Sequence, residues 1–177
     1  MTLLKGENIR LRALEPEDIE FLFGIENDIS NWEISNTKTP FSRDILNKYL
    51  LNAHQDIYTA KQYRFVICQS DLNPIGTIDL FDFDPFHKRV GLGILILAKY
   101  QNLGFGFEAI KLICDYVFKV LQLNQVYVNI TTENKKSIQL FEKFGFELAG
   151  IKKDWIQTMN GFKDEALYQL INQNNET

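Results

Sequence analysis

The stretch Gln101-Asn102-Leu103-Gly104-Phe105-Gly106 is where residue type and spacing most directly suggest chemistry. Two glycines one residue apart let a backbone turn sharply, and an apolar pattern of helical period begins just after them. Such a turn aims the amide hydrogens of a first helical turn, with the positive end of the helix dipole, at one point where a pyrophosphate is stabilised. The same glycines also suit a tight strand-to-helix turn that holds no ligand. Two nucleotide-binding patterns fail on detail. A dinucleotide fingerprint needs a third glycine, a place held here by Ala109, and this turn comes only after several antiparallel-looking strands. No Gly-Lys-Ser/Thr follows, which excludes an NTPase P-loop.

The second group is acidic. Asp79, Asp82 and Asp84 lie on or just after a strand-like run, and a carboxylate inside an apolar strand needs a partner or a use, which singles out Asp79. Asp82-Phe83-Asp84-Pro85 reads equally well as a polar turn. His54 and His87 read as surface or turn residues. Cys68 and Cys114 stand far apart among apolar neighbours and read as reduced core thiols, and with the two histidines they do not cluster as metal ligands.

The elements that must position these groups follow from periodicity. Residues 8–14 alternate as a half-buried strand, and Glu15-Pro16-Glu17-Asp18 opens a helix whose apolar face carries Ile19, Leu22, Phe23 and Ile25. Residues 27–40 are polar and irregular, a loop of the kind that shapes substrate pockets. A helix over 42–55 carries Ile45, Tyr49 and Leu50 on one side. The runs 63–68 and 75–81, joined through Ser70-Asp71-Leu72-Asn73-Pro74, form a hairpin. Residues 90–97 are apolar throughout, as a central strand covered on both faces would be. A helix over 104–121 is the firmest element, followed by a strand at 125–130, which calls for a parallel crossover. A short helix over 134–144 ends at Gly145, and Asn160-Gly161 turns a closing hairpin.

The bulk numbers agree with one compact unit. A chain of 177 residues, 45% hydrophobic and 24% charged, buries a single core. Residues 1–172 are expected as one domain and 173–177 as a disordered polar tail. With 23 acidic against 19 basic residues there is no positive field for a nucleic acid. A cationic partner fits better, although mild acidity also serves solubility alone. Neither a signal peptide nor an apolar span long enough for a membrane is visible, so a cytoplasmic location is expected, without membrane partners.

Gln101-x-x-Gly104-x-Gly106 resembles the acetyl-CoA signature of the GNAT superfamily of N-acetyltransferases. Asn134-x-x-Ser137-x-x-Leu140-Phe141-Glu142-Lys143-Phe144-Gly145-Phe146 resembles its second signature, in the family's order. The similarity runs from Ile9-Arg10-Leu11-Arg12 over nearly the whole chain and is strongest toward the spermidine and ribosomal-protein N-terminal acetyltransferase branches. The resemblance implies an α+β fold in α/β/α layers: a mixed, mostly antiparallel sheet, splayed between two central parallel strands, with helices on both faces. It implies acetyl-CoA as co-substrate and a primary amine as acceptor, either a polyamine-like small molecule or a protein N-terminus, with a homodimer as the family's habit. The backbone of Ile94, Leu95 and Ile96 would pair with the pantetheine arm, and the amides of Gln101, Asn102, Leu103, Gly104, Phe105 and Gly106 would hold the pyrophosphate. Asn134 would bond the pantetheine, a role that can stand beside or give way to that of a helix N-cap, and Phe141 would flank the thioester.

Two departures from the family pattern shape the expected mechanism. A primary amine with a pKa near ~10.4 is deprotonated in fewer than about one molecule in a thousand at neutral pH, so a base is needed. Many relatives place a glutamate where this chain has Gly91. Asp79, Asp82 and Asp84 are the nearest replacements, the first two match acidic positions in the spermidine branch, and Asp79 is the favoured base. The usual acid, a tyrosine, is Phe141 here, which leaves Tyr127 or water, although Tyr127 equally suits an outward strand position. The amide of Leu95 or Ile96 is the expected oxyanion donor. Glu33, Asp79 and Asp82 would give a cationic acceptor an acidic pocket, yet Thr37-Lys38-Thr39 replaces the acidic pair that polyamine-binding relatives carry nearby. Loss of both usual proton-transfer groups supports an alternative, a non-catalytic acyl-CoA sensor or partner-binding module.

Overall fold

The structure, a computed structural model, describes residues 3–173, so all but the first residue of the expected tail lies outside the described residues. A seven-stranded sheet runs in the order β1-β2-β3-β4-β5-β7-β6. Its strands are β1 (Ile9–Ala13), β2 (Tyr63–Gln69), β3 (Pro74–Asp84), β4 (Arg89–Ile96), β5 (Gln125–Thr131), β6 (Glu147–Thr158) and β7 (Gly161–Ile171). Every neighbouring pair is antiparallel except β4–β5, which is parallel and joined through α5 (Phe105–Lys119).

Strand alternation sorts the side chains between two helical layers. Phe65, Ile78, Val90, Val126 and Tyr168 face α5 and α6 (Lys135–Phe144) and merge with Ile110, Ile113, Val117 and Phe141 into the main core. Contact of the Phe65 ring with Tyr116 of α5, 5.6 Å between centroids, fixes that assignment. On the opposite face Arg64 meets Glu26 of α1 (Ile19–Glu26) and Tyr49 of α3 (Arg43–Asn52). Helices therefore cover both faces of a mostly antiparallel sheet, as expected. At the entry to α1 the buried Asp18 accepts from the Glu15 amide and takes a two-point ion pair from Arg12, locking the strand to the helix. Among the described residues, no helix is long and apolar enough to cross a membrane.

Three expectations change. The segment 27–40 is not wholly irregular: α2 (Ile29–Ser35) forms inside it, capped by the Asp28 carboxylate on the Ser30 amide and stopped at left-handed Asn36. It buries none of its residues, so it has no apolar period to betray it. A one-turn helix α4 (Ile57–Ala60), capped by Asp56, was likewise invisible to periodicity. Finally, β4 is enclosed only in its first half: Val90, Gly91 and Leu92 are buried, while Gly93–Ile96 are half-buried.

Candidate functional site

The half-buried end of β4 has a direct cause. β4 pairs with β5 only through Arg89↔Gln125, Val90↔Val126 and Gly91↔Tyr127, after which β5 continues on β7 and leaves one edge of β4 without a strand partner. Leu97 donates its amide to Ile75 on β3, so alternation points the backbone of Leu95 at β3 and the backbones of Ile94 and Ile96 into the split. Leu95 is thereby removed from the expected backbone partners and from the expected oxyanion donors, because its polar groups belong to the β3 ladder. The Ile96 carbonyl accepts from the Gln101 side chain at 2.9 Å, which ties the following turn to the strand end.

That turn leads into α5. Gly104, at φ 86°, is the N-cap and supplies no side chain to the helix start. A left-handed φ is strained for a residue bearing a Cβ, which is why glycine serves here. The first amide that α5 satisfies internally is that of Glu108, bonded to Gly104. Among the described residues no acceptor meets the amides of Gly104, Phe105, Gly106 or Phe107. Four donors at the positive end of a 15-residue helix make an anion cradle beside the split. Two adjustments to the expected set follow. The Gln101 amide is spent on the Ala98 carbonyl at 3.2 Å, and Phe107, not anticipated, joins the cradle. Asn134 caps α6 by accepting from the Ser137 amide at 3.2 Å, the cap role anticipated beside its ligand role. Phe141 is 2% exposed and packs on Phe146 in the core.

The carboxylates fare differently. Asp79 lies directly opposite Arg64 in the β2–β3 register, and Arg64 grips both its oxygens, at 2.7 and 2.8 Å, while also pairing with Glu26. The partner that an intra-strand carboxylate needs is thus a guanidinium, and both Asp79 oxygens are occupied; as a free base Asp79 is corrected. The missed residue, Arg64, had a signal: it is the lone charge of an apolar strand, and the next strand carries Asp79 between apolar neighbours. Glu33, on α2, is held by Lys163 of β7 at 2.6 Å, and Lys163 also reaches Glu133 at 3.1 Å. Asp79 and Glu33 therefore sit in separate ion clusters and do not form one acidic pocket with Asp82.

Asp82 remains available. It sits at left-handed φ 48°, in the bulge between Phe81, which pairs with Gly91, and Asp84, which pairs with Arg89, and no cation pairs with it among the described residues. Among the described residues the one polar contact of its side chain is the Tyr127 hydroxyl, which donates to it at 3.4 Å. Burial, then the charge and hydrogen bond of Asp82, raise the Tyr127 phenol above its ordinary value and keep it a proton donor at neutral pH. Asp84 is a turn residue: it accepts from the His87 amide at 2.9 Å and pairs with Arg89. At Gly91 a Cβ would stand 2.3 Å from the Phe81 ring, so that ring occupies the space of the side chain that many relatives carry there. Asp82, Tyr127, Phe81 and Gly91 thus gather at the head of the split, on the face covered by α1 and α3.

Comparison with known proteins bears on this arrangement. The family model for an acetyltransferase (GNAT) domain matches residues 8–147. The spermidine N(1)-acetyltransferase of Escherichia coli K12 is 30% identical over 82% of this chain and 76% of its own length. A putative ribosomal N-acetyltransferase of Bacillus subtilis is 24% identical over 94% of this chain and 92% of its own. The crystal structure of spermidine N-acetyltransferase from Vibrio cholerae in complex with CoA and spermine superimposes with a TM-score of 0.84 at 27% identity, covering 92% of this chain and 95% of that one.

Proposed function

The chain belongs to the GNAT acetyltransferase family and is an acetyl-CoA-dependent N-acetyltransferase, and from that premise we propose that it acetylates a primary amine at the head of the β4–β5 split, with Asp82 as the base. The observation that carries this reading is the coincidence of two features: strand pairing that stops at Gly91, and a helix start whose amides from Gly104 to Phe107 have no internal partner. The donor set fits a diphosphate, being backbone amides at a helix N-terminus, and the one first-turn carboxylate, Glu108, is held by the amide and side chain of Asn8. Ile94 and Ile96 present backbone polar groups along the same split, in position to replace the missing β5 ladder for a pantetheine chain.

Acetyl-CoA supplies a thioester carbonyl that an uncharged amine can attack. The Asp82 carboxylate accepts the ammonium proton, a contribution typically worth ~10²–10⁴ in rate. The Ile96 amide, directed into the split, is the donor for the developing oxyanion. The Tyr127 hydroxyl gives a proton to the departing sulfur and recovers one from Asp82, its hydrogen-bond partner, while the second nitrogen proton leaves to water as the amide forms. A thiol pKa near ~8.5 makes proton delivery to the sulfur the least demanding step, which accounts for the tolerance of Phe141 at the usual acid position.

The sensor alternative is disfavoured by the pairing of a free carboxylate with a protonated phenol where proton transfer is needed. The acceptor is a small amine or a protein N-terminus, and a cytoplasmic setting suits two buried, unpaired thiols. Assembly into oligomers draws support from the Vibrio cholerae relative, solved as a dodecamer. Thiol release from acetyl-CoA across a panel of linear, aromatic and peptide amines tests the reading: turnover above background with at least one amine is expected. Tight acetyl-CoA binding with no turnover on any amine would overturn it.

A further inference from the structure

A cavity of about 460 Å³ lies on the α1/α3 face of the sheet and is used by nothing so far described. Its size falls within the range of small-molecule sites, roughly 300–1,000 Å³. Phe41, Ile45, Leu46 and Ala53 close it from the α3 side, and Leu80 and Phe81 of β3 form part of its floor. The Arg64–Asp79–Glu26 cluster forms its polar wall, beneath the ring of Tyr49. Two carboxylates against one guanidinium leave one negative charge in excess on that wall. Phe81 joins the cavity to the reaction centre, because the same ring lines the cavity and fills the space above Gly91 at the head of the split.

Resting on the reading of the chain as an amine acetyltransferase, we propose that this cavity is the acceptor subsite and that it selects a monocationic amine with an apolar, aromatic-sized body. The body enters beneath α3 and the amine reaches past Phe81 toward Asp82. A linear polycation such as spermidine is a poor occupant, because the single excess charge on the wall offsets at most one further ammonium, and the carboxylates that carry it are already bound to Arg64. An amino acid is a poor occupant too, because its carboxylate would meet the excess negative charge. Burying a phenyl-sized body gains about 1.5–3 kcal/mol, enough for roughly a tenfold preference or more over a two-carbon amine.

The test measures kcat/KM for 2-phenylethylamine, ethylamine, spermidine and phenylalanine with saturating acetyl-CoA, in the wild type and in two variants that fill the cavity from different elements, Ala53→Phe and Ala60→Leu. The expected result is a preference of more than about tenfold for 2-phenylethylamine over the other three, collapsing toward the ethylamine value in whichever variants remain folded by circular dichroism. Equal use of 2-phenylethylamine and ethylamine, a preference for spermidine or phenylalanine, or a preference that survives both substitutions overturns the proposal. If no amine at all is acetylated, the enzymatic reading falls. The cavity is then judged by calorimetric titration with 2-phenylethylamine: binding that the filling variants abolish upholds a site for such amines, and absence of binding removes it.

Discussion

The two sides of the split are built from different material. On the donor side the groups in position are main-chain amides, at Gly104, Phe105, Gly106 and Phe107, and strand edges at Ile94 and Ile96. On the acceptor side they are side chains, and what each can do depends on which neighbour reached it first: Arg64 took Asp79, Lys163 took Glu33, and Asp82 was left with a phenol. A site of backbone amides is set by local conformation and so tolerates change in the surrounding side chains. A site of carboxylates is set by charge pairing across the fold, so two residues of one type a few positions apart take opposite roles.

The largest effect that sharpens this contrast is expected for Asp82→Asn, which should lower kcat by about 10²–10⁴ while calorimetry finds CoA binding intact. An undiminished kcat would remove Asp82 from the mechanism. Next is Arg64→Ala, which leaves Asp79 and Glu26 facing each other without their shared cation. Loss of the shared cation from this half-buried cluster costs about 1–3 kcal/mol, a fall in Tm of roughly 5 °C by calorimetry. A change under about 2 °C would show the cluster to be solvated.

On the donor side, Gly104→Val forces a β-branched residue to φ 86°. The strain is about 1–3 kcal/mol, and relief of it turns the amides away, so CoA affinity should fall roughly tenfold or more with the acceptor KM less affected. Retained affinity would break the comparison, since the cradle would then not depend on local backbone. The smallest expected effect is the most diagnostic: Asp79→Asn should leave the midpoint of the pH–kcat profile where it lies in the wild type, because the carboxylate removed is already bound to Arg64. A displaced midpoint would return the base role to Asp79.

Much of this was legible in the chain itself. The glycine turn, the two signatures and the alternation of strands pointed to the turn that opens α5, because a positive φ at Gly104 and a 3.6-residue period from Phe105 onward are local demands. What escaped was of two kinds. Elements with no buried face, α2 above all, leave no hydrophobic period to read. Backbone direction at Leu95 and the commitment of the Gln101 amide are decided by strand register and by the turn after β4, and residue type does not record either.

The order of residues alone determined that a glycine turn opening a long helix follows a central strand, and that carboxylates lie near it in sequence, since both depend on neighbours within a few positions. Only the folded sheet decided which carboxylate is free. Ion pairs form between residues brought together from distant parts of the chain, Arg64 with Asp79 across a register and Glu33 with Lys163 across 130 positions. A charge on such a surface acts as a base, a ligand or a strut according to the opposite charge that packing places against it.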